Sequence, residues 1–458
     1  MAIAQFSGLA TGIDSKALID AIIESRASAN VKRQSQIDHY NTENSALDEL
    51  NTKILALNDL LDEFRTANAG GISKKATSSD PTKATASAGS GANSGNYAVT
   101  VTSVANTSTG SFDQEYDSLD SYVSTSGSGT VTIEVGTLTN LKTITVDVTA
   151  NTTTVQDLID AINDDADAAG NVIASAVNVG TTTTPHYKVV LNTQHQGEDL
   201  GTLALSASAP ITELQTSTIT AASNAVFSLS GIGSVTRSSN TISDVISGVT
   251  FNLVDTGSTN VSISNDSDST ADKIQAIVDA YNDIVNYIND NNDISQDTST
   301  KDRTVTFGSL AKTSVDEDFL SSVRLAFSEA SSDSGTYVRT FSELGVSTNR
   351  DGTLSFDADE FKSQVGNDAI GAAEVLTSLA DSLSGVSGTF YSYTKLDGLI
   401  DITQESNTSQ ITLLNDAIDA LDRQNEKLRD ILTQQFASLE SLTNKLQQAQ
   451  SSISALIR

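Results

Sequence analysis

The sequence predicts a multidomain α+β protein in which long terminal coiled-coil helices form a stalk with legs, and a mostly antiparallel β head of two domains is inserted between them. Three observations predict this class. Both ends of the 458-residue chain are rich in helix formers and free of proline, the C-terminal end carries a heptad repeat, and the middle alternates short β-type runs with Gly and Asn clusters. A chain of this length accommodates about two to four domains.

The N-terminal end predicts a helix over residues 14–64, and a shorter helix is predicted over residues 272–289. In both stretches the apolar side chains recur at steps of three and four, which places them on one helix face. The apolar residues of the first helix form the rows Tyr40, Leu47, Ile54, Leu61 and Leu50, Leu57, Phe64, and those of the second are Ile274, Ile277, Tyr281, Ile284 and Ile288.

Between these helices, residues 76–269 are rich in Ser, Thr, Gly, Asn and Val. Alternating runs at residues 97–102, 131–135 and 143–148 predict antiparallel strands, because every second side chain of a strand faces the same side of its sheet. One short helix is predicted over residues 155–165.

The C-terminal end carries the strongest pattern in the chain. A helix through its heptads would be about 70 Å long at ~1.5 Å per residue, so part of its apolar seam must overhang any single small core. Such a seam is stable only against other helices, either in a long hairpin within the chain or in an assembly of several chains. Asn425 and Gln435 are predicted to fix the register. Twelve of the fourteen seam positions are apolar: Ile411, Leu414, Ile418, Leu421, Asn425, Leu428, Leu432, Gln435, Leu439, Leu442, Leu446, Ala449, Ile453 and Leu456.

The composition argues against several classes of function. Lys and Arg total 26 against 58 Asp and Glu, and the net charge of −32 opposes binding to nucleic acid or to an anionic membrane surface. No apolar stretch approaches the ~18 residues of a membrane span, and the N-terminus lacks the basic and apolar regions of a cleaved signal peptide. The absence of Cys excludes disulfides, thiol catalysis and thiolate zinc sites. Residues 112–235 carry two basic against fourteen acidic side chains, which is typical of a solvated outer domain.

No catalytic, cofactor or metal site is predicted. The three histidines, His39, His186 and His195, match no metalloprotease spacing, and neither a G-x-S-x-G elbow nor a phosphate-binding glycine loop occurs. The acidic clusters at residues 289–293 and 357–360 lack the glycine and the final glutamate of an EF-hand loop.

Glycines at two places in the chain predict local backbone features. The glycines at 89, 91 and 95 predict a flexible connection between stalk and head. The pair Asp351-Gly352, between two short apolar runs, predicts a tight hairpin turn.

Five short segments follow one another in a fixed order: GLATGID at residues 8–14, the block at 240–253, VDAYN at 278–282, the block at 341–356 that contains DGTL and is followed by Phe361, and LDGL at 396–399. In this order they resemble the flagellar filament-capping protein family, hook-associated protein 2. The segment from about residue 111 to 215 matches nothing in particular, as a variable outer domain would.

The resemblance implies a non-enzymatic structural role at the distal tip of the bacterial flagellum. Members of this family leave through the flagellar type III export channel without a cleaved signal and assemble as a small ring on the filament. Their terminal coils act as legs that reach into the flagellin lattice, and exported flagellin folds and inserts beneath the heads instead of being lost. The implied partners are about four to six copies of the chain itself, flagellin, and an export chaperone that holds the C-terminal segment. No nucleic acid, membrane insertion or cofactor is implied.

The patterns and the resemblance together predict four domains and a set of packing residues. The domains are the coiled-coil legs (1–40 and 430–458), a helical stalk with a small β element (41–75 and 270–429), an inner β head (76–110 and 218–269) and an outer, variable β head (111–217). Packing between subunits and within the filament is predicted for Ile13, Leu18, Ile22, Ile23, Leu47, Ile54, Leu61, Leu428, Leu432, Leu439, Leu442, Leu446 and Ile453, with Asn425 and Gln435 setting register.

Alternative functions stay open at this point. Another axial component of the flagellum, flagellin or a hook–filament junction protein, shares nested helical ends and would assemble into filaments or junctions. A surface adhesin would use the acidic β head to bind glycans, with the coil serving only to oligomerise it, and residues 76–269 alone would then bind glycans. A hydrolase is disfavoured because no His, Cys or metal-binding group converges in the sequence.

Overall fold

The computed structural model describes residues 14–66, 70–297 and 304–456, and it combines long helices with several antiparallel sheets. The chain divides into two compact units. The helical unit comprises residues 1–70 and 271–458, whereas the head unit comprises residues 71–270. Both ends of the chain therefore belong to one unit with the β-rich unit inserted between them, and the predicted fold class is confirmed.

The elements follow in chain order. The chain begins with α1 (Ser15–Asp62). The next elements are β1 (Lys74–Ser78), β2 (Ala84–Ala88), β3 (Gly95–Ser103), β4 (Thr109–Phe112), β5 (Gly129–Val135), β6 (Lys142–Val148), α2 (Val155–Asn163), β7 (Val172–Asn178), β8 (Tyr187–Thr193), α3 (Glu198–Gly201), β9 (Leu203–Ala207), β10 (Ser217–Thr220), β11 (Ala225–Leu229), β12 (Gly233–Arg237), β13 (Thr241–Ile246), β14 (Val249–Leu253) and β15 (Gly257–Asn265). The chain continues with α4 (Ser267–Asn291), β16 (Ile294–Asp297), β17 (Thr304–Phe307), α5 (Val315–Glu329), β18 (Val346–Thr348), β19 (Leu354–Phe356), α6 (Ala358–Asn367), α7 (Ala369–Leu383), α8 (Thr389–Thr394) and α9 (Leu399–Leu456).

The helix α1 begins where its first turn is capped. The Asp14 side chain accepts a hydrogen bond from the backbone N–H of Ala17 at 3.0 Å, which satisfies one of the donors that a helix start leaves open. Further along, the two predicted apolar rows are buried in the helical unit except for Tyr40, which is half-buried. Each fully buried leucine contributes about 1.5–3 kcal/mol. The buried residues are Leu47, Leu50, Ile54, Leu57, Leu61 and Phe64.

The head unit contains two separate hydrophobic cores. In the first, the sheet β1-β15-β3-β11-β12 and the sheet β13-β14-β2 contribute side chains such as Phe227 and Phe251. In the second, the sheets β10-β4-β8-β7 and β6-β5-β9 enclose Phe112 and Ile133 together with one face of α2. The three predicted strands lie within β3, β5 and β6, and the predicted short helix is α2, so these predictions are confirmed. The four-domain boundaries stay predictions.

The predicted connection at Gly89, Gly91 and Gly95 is wrong. Gly89 directly follows β2, Gly95 is the first residue of β3, and both strands belong to the head unit. The Gly89 N–H donates to the carbonyl of Gly248 at 2.9 Å, so the glycines form an ordered turn between two sheets of one unit. Glycine marks both tight turns and flexible linkers, and the sequence pattern does not distinguish them.

Two of the five family-like segments contact each other in the helical unit. Tyr281 of α4 is fully buried, and its hydroxyl donates to the carbonyl of Gly352 at 3.2 Å. The Asn282 side chain donates to the Leu354 carbonyl at 2.8 Å and accepts from the Leu354 N–H at 2.7 Å. The predicted hairpin at Asp351-Gly352 is confirmed, since β18 and β19 pair across it and Gly352 has a φ of +87°. The Asn282 side chain therefore satisfies both backbone groups of Leu354, as a residue of a neighbouring strand would.

Candidate functional site: the paired terminal helices

The helices α1 and α9 run antiparallel to each other. Residues late in α1 contact residues early in α9: the Gln404 amide donates to Asp48 Oδ1 at 2.7 Å. Residues early in α1 contact residues further along α9, where Arg429 pairs with Asp20 at 2.9 Å. The two helices therefore form a hairpin within the chain, and the seam residue Asn425 takes part in it through its contact with Arg26.

The middle of this helix pair contains a buried polar cluster. Glu43 is 4% exposed, and its Oε1 accepts from the Asn407 amide at 3.0 Å. The same amide donates to Asn44 Oδ1 at 2.9 Å. Beside them, His39 Nε2 lies 3.7 Å from Glu43 Oε2, and burial together with the Lys312 charge holds the pKa of His39 below its usual value, against the opposing effect of Glu43. His39, Glu43 and Asn407 line a cleft of about 390 Å³.

Nearer the start of α1 the two helices meet through polar side chains. Asn425 is 5% exposed, and its Oδ1 accepts from Arg26 Nε at 3.0 Å. Asn30 donates to Asp422 Oδ1 at 2.8 Å. A buried amide that needs one particular partner is the kind of group that fixes register, so Arg26 is the partner expected for the proposed register residue Asn425. Arg26 was not predicted from the sequence, although a polar residue seven or fourteen positions before the apolar row of α1 that begins at Tyr40 is a signal for such a contact.

The last part of α9 exposes its apolar seam. Leu439, Leu442, Leu446 and Ile453 are 49%, 58%, 61% and 57% exposed. Leu428 and Leu432 are half-buried, and the second predicted register residue, Gln435, is exposed. A run of half-exposed leucines and isoleucine at heptad spacing is the type of surface that packs against other helices.

The predicted packing residues of α1 divide into two groups. Leu18 and Ile22 are exposed and Ile23 is half-buried, whereas Ile13 lies outside the described residues.

The other group, Leu47, Ile54 and Leu61, is at most 1% exposed inside the helical unit, so the expectation that these three pack against other subunits is corrected. Heptad spacing identifies which face is apolar, but it does not identify what covers that face.

An acidic cluster lies at the start of α9. Carboxylate oxygens of Asp397, Asp401 and Glu405 lie within 4.8 Å of one another on a largely exposed surface. Exposed acidic groups of this kind are common on a chain with a net charge of −32, and we assign them no role. None of the described helices combines the length and the apolar content that crossing a membrane requires.

Comparisons with known proteins match both ends of the chain. A family model described as "Flagellar hook-associated protein 2 N-terminus" matches residues 11–108, and one described as "Flagellar hook-associated protein 2 C-terminus" matches residues 222–448. The B-type flagellar hook-associated protein 2 of Pseudomonas aeruginosa is 26% identical over 428 residues, which cover 89% of this chain and 86% of that protein. The flagellar hook-associated protein 2 of Aeromonas caviae is 26% identical over 484 residues, covering 98% and 97%.

A solved structure has a similar fold. The crystal structure of the flagellar cap protein FliD D1-D2-D3 domains from Escherichia coli superposes with a TM-score of 0.59 at 24% identity, covering 81% of this chain and 99% of that chain.

Proposed function

Since the chain belongs to the flagellar hook-associated protein 2 family, we propose that it caps the distal end of the bacterial flagellar filament, where it promotes the folding and insertion of exported flagellin and prevents its loss. The proposed role is structural rather than catalytic. The observation that carries it is the exposed apolar seam at the end of α9, which fits legs that pack reversibly against other helices.

The size of this seam suits reversible contacts. Leu439, Leu442, Leu446 and Ile453 are each about half exposed, so covering what remains of each side chain contributes about 1 kcal/mol. The resulting ~4 kcal/mol per helix only reaches the lower limit of the cost of bringing two free molecules together, which is about 4–15 kcal/mol. The seam therefore holds its partners only inside an assembly that other contacts have already formed. A cap that moves as the filament grows needs contacts of this strength.

The proposal includes three partners. The chain forms a ring of about four to six copies, because several numbers of helices satisfy the same heptads. The ring contacts flagellin, and before export a chaperone covers the C-terminal segment that carries the seam. The protein acts outside the cell at the filament tip and is exported without a cleaved signal.

The test uses a strain that lacks this gene and expresses variants from a plasmid. The measurements are unpolymerised flagellin in the medium and the length of filaments. The test variant carries Leu439→Asp and Leu446→Asp. The matched control carries Asn444→Asp and Ser451→Asp, which add the same charge at the same spacing of seven residues on the opposite, exposed face of α9.

The deletion strain is expected to release flagellin monomer and to carry missing or stunted filaments, and the wild-type gene and the control should restore them. The double leucine variant should not restore them, although its free energy of unfolding should stay within about 1 kcal/mol of wild type because both leucines are half exposed. Normal filaments without released flagellin in the deletion strain would refute capping. Full restoration by the leucine variant would refute the role of the seam.

A further inference from the structure

The polar cleft beside α1 brings together a histidine and a glutamate on one helix face. His39 and Glu43 are four residues apart, and His39 Nε2 lies 3.7 Å from Glu43 Oε2. This separation is too long for a direct hydrogen bond. The Nε2 atom is buried and has no hydrogen-bond partner among the described residues. A buried ring nitrogen without a partner is costly, so something that binds there would relieve the cost.

We propose that His39 Nε2 and Glu43 Oε2 bind a divalent transition-metal ion such as Zn²⁺ or Ni²⁺, with waters from the cleft completing its coordination. Imidazole nitrogen and carboxylate oxygen are ligands that these ions prefer. The cleft of about 390 Å³ leaves room for several waters. This site is separate from the exposed seam and does not depend on the proposed capping function.

The separation of the two ligand atoms is close to what such an ion requires. Ligand atoms at about 2.1 Å from a tetrahedral metal lie about 3.4 Å apart. The observed 3.7 Å therefore needs to shorten by only a few tenths of an ångström for both atoms to bind one ion. The buried Glu43 carboxylate also gains from a positive charge beside it.

A further contact orients the glutamate. The Asn407 amide donates to Glu43 Oε1 at 3.0 Å, which turns the other oxygen towards the imidazole. Outer hydrogen bonds of this kind commonly fix the carboxylates and imidazoles that bind metals. Because Asn407 belongs to α9, a metal at this point would add to the stability of the α1–α9 pair.

One charge in the cleft opposes the ion. Lys312 lines the same cleft, and its Nζ lies 4.5 Å from the centroid of the Phe307 ring. A like charge nearby weakens cation binding, so two protein ligands and this lysine give a site of moderate affinity. Replacing the lysine by a neutral side chain is expected to tighten it.

The test is calorimetric titration of the full-length, EDTA-treated chain with ZnCl₂, with MgCl₂ as the reference ion. One Zn²⁺ should bind per chain and Mg²⁺ should not compete. His39→Gln should weaken Zn²⁺ binding at least about tenfold, and Lys312→Gln should strengthen it. Asp401→Asn, in the exposed acidic cluster, should leave it unchanged. Absence of Zn²⁺ binding, or equal binding by His39→Gln, would overturn the proposal.

A second measurement avoids any dependence on how the variants fold. The wild-type chain has three histidines, so the imidazole ¹⁵N resonances of His39, His186 and His195 can be followed separately during the titration. Zn²⁺ should shift the Nε2 resonance of His39 and leave the other two in place. If Zn²⁺ binds while the Nε2 resonance of His39 does not shift, the ion lies elsewhere and the proposed site is wrong.

Discussion

Replacing Asp316 by asparagine should stabilise the chain at neutral pH. Asp316 is fully buried in the first turn of α5. Its Oδ2 accepts from the Asn292 amide at 2.7 Å, whereas its Oδ1 has no partner among the described residues. Burial, opposed by the neighbouring backbone N–H groups of Glu317 and Asp316, raises the pKa of this carboxyl to about 6. The folded chain therefore holds a charge at pH 7.5 in a place that favours the neutral acid.

The magnitude follows from the two pKa values. The ordinary pKa is 3.8 and the folded value is about 6, and each pKa unit corresponds to about 1.4 kcal/mol. Because the folded state holds its proton more tightly, stability falls as the pH rises from about 4 to 6 and stays about 3 kcal/mol lower above that range. Asparagine carries no charge and keeps an oxygen that accepts from Asn292. Its amide group lacks an acceptor, which costs about 1 kcal/mol, so Asp316→Asn should gain about 2 kcal/mol at pH 7.5.

The assay is urea unfolding followed by circular dichroism at 222 nm, at pH 7.5 and at pH 4.0. The gain of Asp316→Asn over wild type should be present at pH 7.5 and largely absent at pH 4.0, where the wild-type carboxyl is protonated in the folded chain. The matched control is Asp318→Asn, an exposed carboxylate in the same turn, which should change stability by less than about 0.5 kcal/mol at pH 7.5. A lower stability of Asp316→Asn than wild type at pH 7.5, or an equal gain at both pH values, would show that the buried Asp316 charge does not destabilise the chain.

Two further predictions concern packing in the helical unit. Leu50→Ala should lower the free energy of unfolding by about 2–5 kcal/mol because the leucine is fully buried. Leu55→Ala on the same helix should lower it by less than about 1 kcal/mol, because this leucine is 43% exposed. Equal losses of the two variants in urea unfolding would contradict the assigned buried face of α1. Asn282→Asp should lower the free energy of unfolding by about 1–3 kcal/mol, because the Leu354 carbonyl loses its donor and faces a carboxylate instead. An unchanged thermal midpoint of unfolding would show that Asn282 does not hold the hairpin.

The periodic parts of the fold were predictable from the sequence. Apolar residues at steps of three and four predicted α1, α4 and α9, and alternating apolar and polar residues predicted β3, β5 and β6. These two patterns depend only on residues close together in the chain. Which part of the chain, or which partner, covers each apolar face was not predictable from these patterns. Leu47 and Leu439 share one pattern, yet the first is buried in its own unit and the second is half exposed.

The polar contacts of the candidate sites were beyond the reach of local patterns. Glu43 and Asn407 are 364 residues apart in the chain, and nothing in either neighbourhood indicates the other. The same holds for Arg26 and Asn425, which are 399 residues apart. Asn425 could be predicted to set register because it interrupts a heptad, whereas its partner could be found only in three dimensions.

The pairing of the two chain ends also determines the order in which the chain folds. The head unit has all of its residues once position 270 is available, but the partners of α1 in α9 lie nearly 400 residues later in the chain, as in the contact of Arg26 with Asn425. Closing so long a loop is slow, and until it closes the apolar side of α1 has no cover from α9. A chain that emerges N-terminus first therefore completes its head before its helical unit. During that interval part of the apolar side of α1 stays uncovered, and exposed apolar surface of this kind promotes aggregation.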